Sequence, residues 1–283
     1  MEKTDPLVST DWLAERLSVA DTVVVDATWF MPGAPGDARA EFVERHVPGA
    51  VFFGIDDIKD HASPLPHMLS APADFAVAAR RLGVNRDSTV VVYDVHGLFS
   101  APRVWWNFRV MGHTQAFVLD GGFPRWTAEG RPIETGWREP RHGDFKARPD
   151  PTLVRDLAAV RLVLDSRAEQ IVDARAAGRF TGAAPEPRAD LRSGHMPGAR
   201  NVPWNDLVGA DGALASPEVL RVAFQSAGVD LAAPIVTTCG SGVSAALLAL
   251  ALARVGRPDV AVYDGSWTEW ASRADTPIVT GEA

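Results

Sequence analysis

One cysteine, three lysines and two tyrosines in 283 residues exclude several kinds of protein. A lone Cys239 permits no intramolecular disulfide and no cysteine-based zinc site. Positive charge is scarce as well. The formal net charge is −8 and the isoelectric point is about 5.4, which argues against nucleic acid or an anionic membrane as the main partner. Apart from Lys3, Lys59 and Lys146, the 28 cations are all arginine. Genomic base composition accounts for such a bias in bulk, while single arginines suit bidentate binding of small carboxylates. Long hydrophobic runs are also missing. The longest, Ala245–Ala253, is nine residues and ends at Arg254, too short for a bilayer and suited to a buried helix. Residues 1–12 lack the apolar core of a signal peptide. The expectation is a soluble, cytoplasmic protein, and 46% apolar residues suffice for ordinary cores.

The chain repeats itself once. His46-Val47-Pro48-Gly49-Ala50 returns as His195-Met196-Pro197-Gly198-Ala199, 149 residues later. Val24-Val25-Asp26-Ala27 returns as Ile171-Val172-Asp173-Ala174 at offset 147, and Asp120-Gly121 with Trp126 returns as Asp264-Gly265 with Trp270 at offset 144. A conserved order with a slowly drifting offset means two domains of like fold, not a short-period solenoid. The joint is expected at 136–151, rich in Gly and Pro, between a first domain at 1–135 and a second at 152–283.

Both halves alternate short β-branched runs with helical patterns. Thr22–Val25, Thr89–Tyr93 and Ala116–Leu119 read as buried strands; Thr10–Leu17, Ala73–Leu82 and Ala101–Met111 read as helices. In the second half Ile171–Val172, Ile235–Thr238 and Val260–Tyr263 read as strands, and Pro217–Ala227 and Ser244–Val255 as helices. The fold class is α/β, two domains each with a mainly parallel sheet covered by helices on both faces.

Cys239 stands at the carboxyl end of the Ile235–Thr238 strand, where parallel sheets bind ligands. Gly240-Ser241-Gly242-Val243-Ser244 follow and lead into a helix, with Ser244 as the expected N-cap. The glycines let the loop curl with its N–H groups inward. A sulfur there faces roughly half a positive charge from the helix, which favours a thiolate and equally a persulfide anion. Isolated cysteines are often inert buried hydrophobes, but strand, Gly-x-Gly loop and helix together outweigh that reading. A cysteine phosphatase would need an arginine six positions on, and position 245 is Ala. In the first domain Asp94 takes the place of Cys239 and is expected to satisfy its own helix end, making that domain a non-catalytic copy. His46 and His195 occur in both domains, so a structural turn role is expected; the nine Trp read as packing.

These pieces, with Asp26-Ala27-Thr28-Trp29, Glu44-Arg45-His46, Ala101-Pro102-Arg103-Val104-Trp105-Trp106, Gly178-Arg179-Phe180, Pro185-Glu186-Pro187-Arg188 and Tyr263-Asp264-Gly265-Ser266-Trp267, resemble the tandem-domain rhodanese family across nearly the whole chain. The neutral Gly240 and Ser241 resemble its 3-mercaptopyruvate sulfurtransferases, since thiosulfate-using members carry basic residues there. The resemblance implies Cys239 as sulfur carrier, and Arg179 and Arg188 as holders of the substrate carboxylate and keto oxygen. It implies a Ser241–His67–Asp56 arrangement around the loop, with Gly240, Gly242, Val243 and Ser244 lining the substrate site. Guanidinium forks match the oxygens of a 2-keto acid, and a histidine can deliver the proton that an expelled enolate needs. Gly54, two residues before Asp56, stands where relatives often carry an acid.

The expected function is transfer of sulfur from 3-mercaptopyruvate through a Cys239 persulfide to a thiol, thioredoxin or cyanide, releasing pyruvate, in a monomer, by chemistry that needs no metal or organic cofactor. The alternatives are a thiosulfate sulfurtransferase and a non-enzymatic persulfide-shuttling module.

Overall fold

The computed structural model describes residues 5–188 and 190–282. The chain divides into two compact units. The first comprises the chain through His61, Leu69–Asp150 and Ala210–Leu214; the second comprises Ala62–Met68, Pro151–Gly209 and the chain from Ala215.

The first unit holds strands β1 (Leu7–Val8), β2 (Thr22–Asp26), β3 (Val51–Phe52), β4 (Thr89–Tyr93) and β5 (Ala116–Leu119). All pairs are parallel, in the order β1-β5-β4-β2-β3. The helices are α1 (Thr10–Ala14), α2 (Ala38–Glu44), α3 (Pro72–Arg81), α4 (Ala101–Val110) and α5 (Gly122–Ala128). Alternation along β4 sends Val91 and Tyr93 to one face, where they pack with Leu13, Phe42, Phe123 and Trp126 from α1, α2 and α5. On the other face Phe53, Phe75 of α3 and Phe108 of α4 form an aromatic cluster with ring centroids 5.2–6.2 Å apart. Both faces of the sheet are therefore dry, which is why β2 and β4 read as unbroken apolar runs.

The second unit repeats this plan with β6 (Val154–Arg155), β7 (Gln170–Asp173), β8 (Arg200–Asn201), β9 (Ile235–Thr238) and β10 (Ala261–Tyr263), in the order β6-β10-β9-β7-β8. Its helices are α6 (Leu157–Ser166), α7 (Ala177–Thr181), α8 (Pro217–Ser226), α9 (Val243–Arg254) and α10 (Ser266–Ser272). Every residue of α9 from Ala245 to Ala253 is buried. Among the described residues no helix is long and apolar enough to cross a membrane.

The repeated histidines have the structural role their repetition suggests. His46 Nδ1 lies 2.7 Å from the Phe42 carbonyl with the two rings stacked at 4.2 Å, and His195 Nδ1 lies 2.9 Å from the Phe180 carbonyl with its rings at 3.8 Å. Each histidine also forms one backbone bridge, to Glu134 and Val279 respectively. Trp126 and Trp270 are buried and donate their indole N–H to the carbonyls of Pro132 and Pro277.

Residues 136–150, expected as part of a linker, fall in the first unit. Gly143 N donates to Arg80 O at 2.8 Å and Phe145 is buried. A Cβ on Gly143 would stand 2.0 Å from Val84 O, so only glycine allows that close approach.

Asp26, at the end of β2, is almost wholly buried, and its Oδ1 accepts from Thr28 N at 2.8 Å. Burial pushes its carboxyl up from 3.8 to about 6, against the pull of the Thr28 bonds and with a smaller push from Asp94. The folded state then binds more protons than the unfolded state between those values. The associated stability is present at the acid end and is lost as pH rises through about 6. Asp26→Asn keeps an acceptor for Thr28 N but cannot ionise. Chemical denaturation should show the variant gaining on the wild type by up to ~3 kcal/mol between pH values below 3.8 and pH values above about 6. A difference that stays flat would mean that Asp26 does not titrate on folding.

Candidate active site

β9 delivers Cys239 to the head of α9. The thiol is buried, and its Sγ accepts from Gly242 N at 3.1 Å. Gly242 has φ +81° and is itself the N-cap of α9. The helix therefore starts at Val243, and Ser244, expected as the cap, lies inside the first turn. The left-handed glycine turns the chain into the helix sooner than the serine could.

The back of the loop is gripped by the start of α10. Trp267 N donates to Cys239 O at 2.9 Å, and Thr268 donates to Gly240 O through both N (2.9 Å) and Oγ1 (2.6 Å). Cys239 N donates to Ser266 Oγ at 3.3 Å, and that hydroxyl donates to Tyr263 O at 2.8 Å. With its carbonyls engaged behind, the loop is free to offer its other amides to an anion on sulfur.

Two arginines converge on the loop. A Cβ placed on Gly240 would stand 3.2 Å from Arg179 Nη2 and 3.9 Å from Arg188 Nη1. Arg179 is held from behind by Glu186, whose buried carboxylate accepts from its Nη2 at 2.5 Å and its Nε at 3.3 Å. Glu186 also accepts from Arg175 Nη1 at 2.8 Å. Arg175 is fully buried. It donates to Asp173 at 2.7–3.1 Å and to Gly194 O at 2.8 Å, and it lies 4.1 Å from the centre of the Trp267 ring. A chain of charges thus runs from the end of β7 through Asp173, Arg175 and Glu186 to Arg179.

Of the residues singled out in the sequence, Cys239, Gly240, Ser241, Gly242, Val243 and Ser244 form one continuous loop and helix start, with Arg179 and Arg188 beside Gly240. His67 lies in the segment 62–68 that belongs to the second unit. It is buried, and its φ of +59° is unusual for a non-glycine. Asp56 belongs to the first unit, where its half-exposed carboxylate accepts from Trp29 Nε1 at 2.9 Å and lies 3.8 Å from Lys59 Nζ. At Gly54 a Cβ would meet Asp57 Oδ2 at 1.8 Å, so Asp57 fills the space that a side chain would need. Glu186, Arg175, Ser266 and Thr268 are contributors to which the sequence assigned no role. Glu186 and Ser266 did lie within the motifs quoted above, which was the available signal.

The first unit supplies an internal comparison. Asp94 is fully buried at the end of β4. Its Oδ2 accepts from the N–H groups of Phe99, Ser100 and Ala101 at 2.8–2.9 Å, and its Oδ1 accepts from His96 N at 2.8 Å. A carboxylate here occupies the anion seat at the head of α4, as expected from its alignment with Cys239.

The comparisons agree with this geometry. The model for the rhodanese-like domain matches residues 9–129 and again 157–273. Human 3-mercaptopyruvate sulfurtransferase is 45% identical over 98% of this chain and 95% of its own length. Bovine thiosulfate sulfurtransferase is 46% identical over 95% of this chain and 92% of its own. The crystal structure of SseA from Escherichia coli, described as a 3-mercaptopyruvate sulfotransferase with the rhodanese fold, superposes with a TM-score of 0.85. It is 43% identical and covers 93% of this chain and 99% of that one. Two parallel α/β domains, one ending its central strand in a cysteine loop, define a tandem sulfur-carrier architecture. The chain belongs to the rhodanese family, with two rhodanese-like domains.

The seat in the first unit can be probed directly. Asp94→Ala leaves four backbone N–H groups without their acceptor and should cost about 2–4 kcal/mol in chemical denaturation, whereas Asp94→Asn should cost less. A near-neutral Asp94→Ala would mean that water takes over those bonds.

Proposed function

We propose that this protein is a 3-mercaptopyruvate sulfurtransferase. The observation that carries the reading is the approach of Arg179 and Arg188 to Gly240, next to the cysteine. A 2-keto acid lying across the loop presents a carboxylate and a keto oxygen to two guanidinium groups while its C3 thiol meets Cys239 Sγ. The Cys239 thiolate attacks that sulfur, an S–S bond forms and the C3–S bond breaks. The electron pair leaves on C3 as the enolate of pyruvate, stabilised by the arginines at its oxygens. One proton delivered to C3 gives pyruvate, and Cys239 is left as a persulfide. An acceptor thiolate then attacks the outer sulfur and restores the Cys239 thiolate. This is covalent, ping-pong chemistry.

His67 is the proposed proton source, with Ser241 and Asp56 as its partners and Gly242, Val243 and Ser244 as the lining of the seat. The proposed acceptor is a thiol, a dithiol such as thioredoxin, or cyanide, and the proposed setting is the cytoplasm, as a monomer. Thiosulfate is the competing donor, because curated thiosulfate sulfurtransferases are about as similar to this chain as the mercaptopyruvate enzymes are. Gly240 favours mercaptopyruvate, since a side chain there would crowd Arg179.

Initial rates should decide the donor. Pyruvate release from 3-mercaptopyruvate with a thiol acceptor should far exceed thiocyanate formation from thiosulfate and cyanide. The reverse preference would leave the fold and Cys239 standing and overturn the donor. Cys239→Ser should abolish both activities, and substantial remaining turnover would refute a Cys239 persulfide.

Glu186→Gln tests the support of Arg179. Removing one charged partner should raise KM for 3-mercaptopyruvate about tenfold while kcat changes much less, the signature of weakened carboxylate binding. A fall confined to kcat would place Glu186 in the chemical step instead.

A further inference from the structure

The first unit carries a cavity of about 590 Å³, lined by Phe30, Glu41, Arg45, Val95, His96 and Phe123 among others. The repeat tells what this cavity is. Phe42 corresponds to Phe180, because each stacks on the repeated histidine and offers it a carbonyl. Glu41 therefore stands in the register of Arg179. Counting back three residues from the paired Trp126 and Trp270 puts Phe123 in the register of Trp267, and Val95 follows Asp94 as Gly240 follows Cys239. The cavity is the first domain's counterpart of the catalytic pocket, with its chemistry altered. The anion seat is already filled by Asp94, and an acid replaces the substrate-facing arginine.

Glu41 and Arg45 are four residues apart, a spacing at which an acid and a base on one helix ordinarily pair. Here they do not. Arg45 has left α2 with φ −164° and ψ 132°, and its guanidinium carbon lies 5.8 Å from the centre of the Phe123 ring. Among the described residues neither side chain has an ion-pair or hydrogen-bond partner. One cavity thus presents an unpaired carboxylate, an unpaired guanidinium and an aromatic wall, with Phe30 edge-on to His96 at 4.9 Å.

We propose that this cavity binds a small zwitterion, an α-amino acid with an apolar or aromatic side chain. Its ammonium group meets Glu41, its carboxylate meets Arg45, and its side chain lies against Phe30 and Val95. A plain anion is opposed by Glu41, and a plain cation by Arg45. A zwitterion satisfies both charges at once.

Calorimetric titration of the full chain with L-phenylalanine tests this, with phenethylamine and N-acetyl-L-phenylalanine as ligands that each lack one charge. Saturable one-to-one binding at millimolar concentration is expected. It should weaken about tenfold in Glu41→Gln, in Arg45→Ala and with either single-charge ligand, the worth of one charged contact. Arg179→Ala should leave it unchanged. Absence of saturable binding to the wild type overturns the proposal. So does binding lost in Arg179→Ala but kept in Glu41→Gln, which places the ligand in the catalytic pocket, and so does equal binding of phenethylamine. Sulfur transfer is measured separately, so failure here leaves the proposed function untouched.

Discussion

Around the head of α4 four backbone N–H groups point at one carboxylate, and at the head of α9 the N–H of Gly242 points at the Cys239 sulfur, so both spots favour negative charge. The two domains meet this constraint in opposite ways. Asp94 fills the seat permanently and takes four amides at 2.8–2.9 Å. At the other seat a thiol stands in place of the carboxylate, touching Gly242 N at 3.1 Å. A fixed carboxylate gives the first loop a permanent partner. A sulfur atom is a weaker acceptor when neutral, so the second loop is best satisfied when the sulfur, or a second sulfur bound to it, carries the charge.

That arrangement requires a rigid frame behind the loop. Burying Arg175 costs free energy unless every donor is matched, and here Asp173, Glu186, the Gly194 carbonyl and the face of Trp267 all match it. The same Trp267 gives its backbone N–H to Cys239 O, and the same Glu186 holds Arg179. One buried guanidinium therefore ties the cysteine loop and Arg179 to the end of β7. Loop position and arginine position cannot drift independently.

Much of this was legible in the sequence because it depends on local pattern. β4, β5 and β9 match their expected ranges, since a β-branched run buried on both faces admits little else. The edge strands β1, β3, β6 and β8 are two residues each and leave no periodicity to read. Helices α5, α7 and α10 are five to seven residues long and equally silent. The cap of α9 was misplaced because a hydroxyl at Ser244 is a visible signal, while a left-handed Gly242 is not. That Arg179 and Arg188 lie beside the Cys239 loop was legible through motif and resemblance. The grip of Thr268 on Gly240 joins residues 28 apart, and only the fold brings them together.

Gly240 links loop composition to substrate choice. With Arg179 Nη2 3.2 Å from where a Cβ would be, any side chain at this position would crowd the guanidinium. The neutral loop and the inward arginine are therefore one choice. In the proposed reading, positive charge reaches the substrate from the side, on forks of which Glu186 holds one, and the loop offers only amide dipoles. A donor with a carboxylate at one end and its sulfur at the other fits that separation of charge better than a compact dianion, which would need the cations around the sulfur itself.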